Sequence, residues 1–136
     1  MKQLLSLYGC VLMLFVLTGC GDRVDKMIYF YTDQNNNTYT ISSSEVRYDP
    51  ITPKESSSGV YSGGEKAVIP ITQKTFRKIV QLAETLQQDT LSHIDRREMR
   101  TAILLAESNG KDISRVILLP SEKRSALEKL LEELVD

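Results

Sequence analysis

The chain has few of the residues on which catalytic and metal chemistry depends. Its 136 residues include one histidine, two cysteines and no tryptophan. A zinc or iron site built mainly from histidine and cysteine is therefore excluded, and a single histidine leaves little for triad chemistry. An excess of one charge is also lacking, because 17 basic side chains face 18 acidic ones. We therefore expect no metal, no cofactor and no nucleic-acid partner.

Apolar side chains are concentrated near the N-terminus. Lys2 precedes a mostly apolar run over residues 4–17, which residues 21–23 end with glycine, aspartate and arginine. The run is shorter than the roughly 20 residues that a transmembrane helix needs. It also lacks the caps and the amphipathic face of a core helix. The pattern is typical of a signal peptide.

The end of this run, Leu17-Thr18-Gly19-Cys20, resembles the lipobox of bacterial lipoproteins. The resemblance implies that signal peptidase II cleaves before Cys20, that the Cys20 thiol carries a diacylglyceryl group and that the new amine is acylated. It covers twenty residues and implies nothing about the other 116. A plain secretory peptide is the alternative.

The resemblance makes residues 1–19 a signal peptide and implies a lipidated tether over residues 20–26. The patterns described below predict a single small α+β domain over residues 27–136. Cleavage removes 19 of the 136 residues and leaves 117, with 16 basic and 18 acidic side chains and a formal charge of −2. Cys10 leaves with the peptide, so no disulfide is expected. Gly21 after Cys20 does not resemble the aspartate that retains lipoproteins of enteric bacteria in the inner membrane, which implies the outer membrane, facing the periplasm, over the inner membrane. Exposure at the cell surface is an alternative.

The domain begins with a pattern that predicts a β-hairpin. Residues 27–32 and 38–41 are rich in β-branched and aromatic side chains, as strands are. Residues 33–37 between them are aspartate, glutamine and three asparagines. Such side chains satisfy local backbone amides and favour turns.

The second half of the chain predicts the order β-α-β-β-α. Asn109-Gly110 lies between two apolar runs, which is a strong signal for a two-residue hairpin turn. Helices are predicted after Thr72 and Ser121, where apolar residues recur at helical spacing. We therefore predict an α+β fold with an N-terminal β-hairpin, a Ser/Gly/Pro-rich loop, and then β-α-β-β-α. The sheet is antiparallel or mixed, with two helices packed on one face.

The loop over residues 50–65 is the candidate binding site. Its glycines let a partner approach the backbone, its serines offer hydroxyl groups, and Tyr61 is an amphipathic anchor. The alternative is a flexible loop with Tyr61 folded back onto the sheet. Its segment 58–61 resembles part of the Ser-Gly-x-x-Tyr loop of periplasmic lysozyme inhibitors, with one residue fewer in the spacing. The candidate binding residues are Ser58, Gly59, Tyr61, Ser62, Gly63 and Gly64.

Two further groups carry possible chemistry. Arg96 and Arg97 are candidate anion contacts, because guanidinium groups match phosphate and carboxylate. The alternative is a solvated connection with local ion pairs. His93 with Asp95 and a loop serine is the only conceivable triad, but no Gly-x-Ser-x-Gly elbow surrounds any serine. We predict no catalytic residue.

These observations favour a lipid-anchored lipoprotein of the bacterial cell envelope that acts as a non-catalytic binding or structural module. The expected partners are membrane lipid, through acylated Cys20, and an envelope protein. One alternative is an inhibitor or accessory subunit of an envelope enzyme, acting through the loop 56–64. A small hydrolase is the third hypothesis.

Overall fold

The computed structural model describes residues 26–136, so Cys20 and the predicted signal peptide lie outside the described residues. The predicted α+β class is confirmed, since one seven-stranded sheet is combined with two helices. The strands are β1 (Met27–Thr32), β2 (Thr38–Ile41), β3 (Glu45–Asp49), β4 (Ala67–Pro70), β5 (His93–Ile94), β6 (Ala102–Ser108) and β7 (Lys111–Leu118). The helices are α1 (Gln73–Gln88) and α2 (Glu122–Val135). Neither helix in this part of the chain is long and apolar enough to cross a membrane.

The strands lie in the order β4-β3-β2-β1-β6-β7-β5, and every neighbouring pair is antiparallel. Two strands extend the predicted pattern. β3 lies between β2 and β4, and its Val46 and Tyr48 are buried on either side of exposed Arg47. β5 consists of only two residues, which pair with the end of β7.

One face of the sheet carries the hydrophobic core. Side chains alternate between the two faces of a strand, so every second residue points to the same layer. On the buried face these residues are Tyr29, Tyr31, Tyr39, Ile41, Val46, Tyr48, Ala102, Leu104, Ala106 and Leu118. Both helices pack there through Phe76, Ile79, Val80, Ala83, Leu86, Leu127 and Leu131. The two helices therefore cover the same face.

Capping hydroxyl groups begin the two helices, and an Asn-Gly turn joins β6 to β7. The Thr72 hydroxyl accepts a hydrogen bond from the Thr75 amide at 3.2 Å, and the Ser121 hydroxyl accepts one from the Arg124 amide at 3.1 Å. Each caps the first turn of its helix. Between β6 and β7, Asn109 and Gly110 have φ angles of 53° and 72°, the left-handed geometry that this two-residue turn requires.

The sheet has two distinct ends. β1 begins at Met27, which pairs with Ser108 beside the β6–β7 turn. The β1–β2 turn, the connection from β3 to β4 and residues 95–101 all lie at the opposite end, because Thr32 is paired with both Thr38 and Ile103. We call this opposite end the far end. It gathers three of the longer connections of the domain in one place.

The core predicts a sharp contrast between two aliphatic substitutions. Leu104→Ala in the middle of β6, where Leu104 is fully buried, should lower the free energy of unfolding by about 2–5 kcal/mol. Ile113→Ala, at a residue that is 59% exposed, should change it by less than about 0.5 kcal/mol. Urea denaturation followed by circular dichroism measures both. Equal losses for the two variants would contradict the assignment of the buried face.

Candidate functional site

Asn37 connects the β1–β2 turn to the loop at the far end. The residue is 3% exposed, and its side-chain amide nitrogen donates to the Asp33 carboxylate at 2.8 Å and to the Tyr61 hydroxyl at 3.1 Å. Its side-chain oxygen accepts a hydrogen bond from the Ile51 amide at 3.1 Å. A buried amide with its donors and acceptor satisfied favours a single geometry for the groups around it. The turn and the base of the loop therefore form one unit.

Gly63 closes the loop against the same unit. Its amide donates to the Ile51 carbonyl at 3.1 Å, and its carbonyl accepts from the Tyr48 hydroxyl at 2.7 Å. A side chain at this position would collide with the Asn37 side-chain oxygen and with Pro50. Both ends of the loop over residues 50–65 are therefore held by buried polar groups, and β3 (Glu45–Asp49) leads directly into it.

The candidate binding residues of the loop divide into two groups. Tyr61 and Gly63 are half-buried at its base, where the Tyr61 hydroxyl accepts from Asn37. The others are exposed, around Val60, which is 82% exposed. Tyr61 thus takes the folded-back arrangement, and Val60 is the apolar side chain that the loop presents. The exposed members are Ser58, Gly59, Ser62 and Gly64.

The two arginines of the candidate anion contact bind different groups of the protein itself. Arg97 donates to the Asp33 carbonyl at 2.8 Å and to the Asn36 side-chain oxygen at 2.6 Å, which holds the β1–β2 turn. Its other terminal nitrogen is buried and has no hydrogen-bond partner within residues 26–136. Arg96 lies 3.5 Å from the Glu98 carboxylate at the surface. The structure therefore does not bring the two guanidinium groups together on one partner.

His93 is half-buried in β5, beside the end of α1. Its Nε2 lies 2.7 Å from the Leu86 carbonyl, an acceptor, so this nitrogen donates. The carbonyl is one of those that a helix end leaves without an internal partner. The ring therefore links β5 to α1.

Arg124 on α2 is the most deeply buried charged group of residues 26–136, with 3% of the residue exposed. Its Nε donates to the Glu128 carboxylate at 2.9 Å and to the Tyr31 hydroxyl at 3.2 Å. Its Nη1 donates to the Arg100 carbonyl at 2.5 Å, with a longer contact to Leu118. The Tyr31 hydroxyl in turn donates to Glu128 at 2.6 Å. Burial, followed by the charge of Glu128, raises the pKa of Tyr31, so this donor stays protonated.

The sequence pattern places Arg124, Glu128 and Glu132 on one mixed, solvated face of the last helix. For Arg124 this expectation is wrong, because β1 and the chain before β6 cover its guanidinium. The spacing of four residues between Arg124 and Glu128 is the only local signal of the ion pair. Nothing local indicates Tyr31, which lies 93 residues away along the chain.

A small cleft of about 70 Å³ opens between the β1–β2 turn and α2. It contains three carboxylates, from Asp33, Glu128 and Glu132. Burial, with the nearby charges of Glu128, Asp136 and Asp33, raises the pKa of Glu132. The cleft is therefore a place where added negative charge is unfavourable and positive charge is favourable. It is lined by Tyr31, Asp33, Gln34, Asn35, Tyr39, Glu128 and Glu132.

The inner wall of the cleft is aromatic. Tyr39 is 6% exposed, and its ring lies 4.8 Å from that of Tyr48 and 6.4 Å from that of Tyr31. Burial, followed by the neighbouring Tyr48 and Asp33, raises the pKa of Tyr39. The Tyr39 side chain also lies near the Tyr48 hydroxyl, which donates to the Gly63 carbonyl.

Comparison with known proteins adds no assignment to these residues. No family model matches the chain, and no curated protein or solved structure is detectably similar to it. The site must therefore be interpreted from its own geometry. In the part of the chain that the structure describes, no three His, Cys, Asp or Glu side chains are grouped so that they could hold a metal ion.

Gly63→Ala should destabilise the domain by about 1–3 kcal/mol, because the added methyl group meets Asn37 and Pro50 in a filled space. Ser57→Ala, at an exposed position of the same loop, should change stability by less than about 0.5 kcal/mol. Urea denaturation compares the two variants. If Gly63→Ala is as stable as Ser57→Ala, the loop base is not packed against the β1–β2 turn.

Glu132→Gln should alter the pH dependence of stability. A carboxyl group whose pKa is raised in the folded state stabilises the fold while it is protonated, and that stability is lost as the pH rises through the folded pKa. The variant should therefore gain stability relative to wild type as the pH rises above the ordinary value of 4.5. Urea denaturation at pH 4 and pH 7 measures the gain. Glu133→Gln, on the exposed side of the helix, should show no such change; an equal slope for both variants would contradict the clustering of carboxylates.

Proposed function

We propose that this chain is a lipid-anchored lipoprotein of the bacterial cell envelope, whose α+β domain is a non-catalytic binding module. The proposal depends on where the lipobox cysteine lies in the sequence relative to the far end of the sheet. Cys20 of the lipobox comes seven residues before Met27, where β1 begins, and the far end of the sheet lies opposite that point. The proposal thus combines an anchored end and a recognition end.

The length of the tether supports this arrangement. Six residues separate Cys20 from β1, and six residues span at most about 20 Å when fully extended. The domain would therefore stay close to the bilayer, with the N-terminal hairpin of β1 and β2 leading away from it. The far end, with the cleft and the loop 50–65, would be the part most accessible to an envelope partner. Gly21 favours the outer membrane, with the domain in the periplasm.

The environment of His93 supports a binding role over a hydrolase. Its Nε2 is engaged by the Leu86 carbonyl, so this nitrogen does not serve as a base for a serine in this arrangement. The far end instead has two features that are common in recognition sites: a loop whose base is held by hydrogen bonds, and a cleft with fixed polar groups. The proposed role is therefore binding without chemical change.

The loop supports a second candidate, an inhibitor or accessory subunit of an envelope enzyme. Val60 is 82% exposed at a loop whose base is held by Asn37 and Tyr48. An exposed apolar side chain on a restrained loop loses little freedom on binding. In this candidate, the segment 56–64 contacts the enzyme.

Cys20→Ser tests the anchor. Metabolic labelling with palmitate in a bacterium that processes lipoproteins should label the wild-type chain and not this variant, because serine lacks the sulfur that carries the thioether. Cys10→Ser is the matched control, since that cysteine lies in the predicted signal peptide and the labelling should persist. If Cys20→Ser is still labelled, or still partitions with membranes after a high-salt wash, the lipoprotein assignment is wrong.

A further inference from the structure

The face of the sheet opposite the helices carries a contiguous group of apolar side chains. Both helices pack on the buried face, so no helix of residues 26–136 covers the opposite one, which we call the outer face. Its apolar residues occupy neighbouring positions on three strands. Phe30 on β1 is paired with Leu105 on β6. One row further on, Ile103 on β6 is paired with Ile117 on β7. We call the group the outer patch; its members are Ile28, Phe30, Ile103, Leu105, Ile113 and Ile117.

The outer patch is only partly shielded from water. Ile113 is 59% exposed and Ile28 is 36% exposed, and the other four side chains are half-buried. None of the six belongs to the hydrophobic core or packs against it. Single aliphatic side chains at a surface are ordinary, but adjacent ones on neighbouring strands are typical of an interaction surface.

The size of the outer patch suits a weak contact. Three strands spaced about 4.8 Å apart, each contributing about six residues of about 3.3 Å, give an in-plane area of roughly 300 Å². A stable complex buries about 800 Å² on each partner. The patch therefore fits a partner that is also held close by other means.

The proposed lipid anchor holds one kind of partner close, namely other copies of this chain; in this respect the inference rests on the proposed function. Copies anchored through Cys20 in one bilayer all have the start of β1 next to it and the far end pointing away. A two-fold axis along the strands brings two outer faces together and keeps both anchors on the same side. Confinement to one membrane also raises the effective concentration of each copy for the other.

Two charged residues beside the outer patch match this pairing. Glu107 on β6 and Arg115 on β7 lie on the outer face, and neither takes part in an ion pair within residues 26–136. Arg115 is paired with Leu105, two residues before Glu107, so the charges are about 7 Å apart along the strands. A two-fold axis between β6 and β7 places β6 of one copy over β7 of the other. Glu107 of each copy then faces Arg115 of the other copy, and both contacts are attractive.

We propose that the outer face binds a second copy of this chain and forms a reversible, two-fold symmetric dimer in the membrane. The two outer patches are its apolar centre, and the reciprocal pairs of Glu107 with Arg115 fix its register. Both far ends point away from the bilayer in this dimer. It therefore presents two recognition ends side by side.

Förster energy transfer between copies in the same vesicles tests the proposal. The full-length lipidated protein carries a donor or an acceptor on Ser57→Cys, an exposed position of the loop. Transfer should rise with protein density and saturate, and unlabelled wild-type protein should compete it away. Transfer no greater than that of randomly distributed copies at the same density would overturn the proposal.

Charge reversal assigns the contact to the outer face. Glu107→Arg and Arg115→Glu should each raise the protein density needed for half-maximal transfer about tenfold, because two attractive pairs become repulsive. A mixture of these variants, one with the donor and the other with the acceptor, should transfer as wild type does, since every contact again joins opposite charges. An effect within one chain cannot produce this rescue. Arg77→Glu, at an exposed position of α1, is the matched control and should transfer as wild type does.

Ile113→Ala tests the apolar centre. It should raise the density for half-maximal transfer about threefold to fivefold, because apolar surface buried in the dimer is lost. Its stability should stay close to that of wild type, as predicted above from its exposure, so lost transfer would not reflect lost folding. Transfer equal to that of wild type would remove the outer patch from the contact and overturn the proposal.

Lipid is the alternative occupant of the outer face. Arg47→Cys, at an exposed position of the outer face, and Arg77→Cys, on the helical side, each carry a fluorophore in vesicles that contain spin-labelled lipid. Similar quenching at the two positions is expected if a second copy covers the outer face. Stronger quenching at position 47 would identify the bilayer as the occupant and overturn the proposal.

The proposal is also overturned if the mixture of charge variants is not rescued, or if Arg77→Glu weakens transfer as much as Arg115→Glu does. These results are separate from the test of the anchor. Palmitate labelling that persists in the Cys20→Ser variant would remove the lipid anchor. Absence of specific transfer in a labelled, membrane-bound protein would remove the dimer and leave the palmitate labelling unchanged.

Discussion

The arrangement of the far end depends on one buried cation, the guanidinium group of Arg124. A charge removed from water is costly unless it is paired and hydrogen-bonded, and here Glu128, Tyr31 and the Arg100 carbonyl meet that requirement. The same contacts join the start of α2 to β1 and to the chain that enters β6. They also position Tyr31 and Glu128 as one wall of the cleft. Loss of this pairing would therefore disturb both the packing of α2 and the shape of the cleft.

A consequence of this pairing is that one carboxylate is neutralised and two are not. Arg124 satisfies Glu128, so the charges of Asp33 and Glu132 remain at the mouth of the cleft. Asp33 is kept there by its turn, where it accepts hydrogen bonds from the Asn35 amide at 2.8 Å and the Asn37 amide at 2.9 Å. The backbone of the turn and the helix thus hold like charges near one another. Such an arrangement disfavours the ionised form of Glu132, whose pKa is raised by burial and by the neighbouring carboxylates.

Much of the fold follows from local sequence patterns. The residue ranges of β1 and β2 coincide with the predicted strand patterns, and the apolar stripe from Phe76 to Leu86 is the buried face of α1. The pairing of β5 with β7 has no local signal, because two residues show no periodicity. The cleft could not be predicted from the sequence either. Asp33 and Glu132 are 99 positions apart in the chain, and they come together only because α2 packs on the sheet. Side chains that look solvated in a helical pattern become buried when a distant strand covers them, as Tyr31 and its neighbours cover Arg124.

The central claim is that the domain has an anchored end and a recognition end on opposite sides of its sheet. The mature chain would have no free thiol, so a fluorophore on Lys111→Cys, beside the start of β1, and one on Gln34→Cys, at the cleft, would each be unique. The lipidated protein is incorporated into vesicles that contain spin-labelled lipid, and quenching of each fluorophore is measured. The account predicts strong quenching at position 111 and little at position 34. Equal quenching, or stronger quenching at position 34, would contradict it.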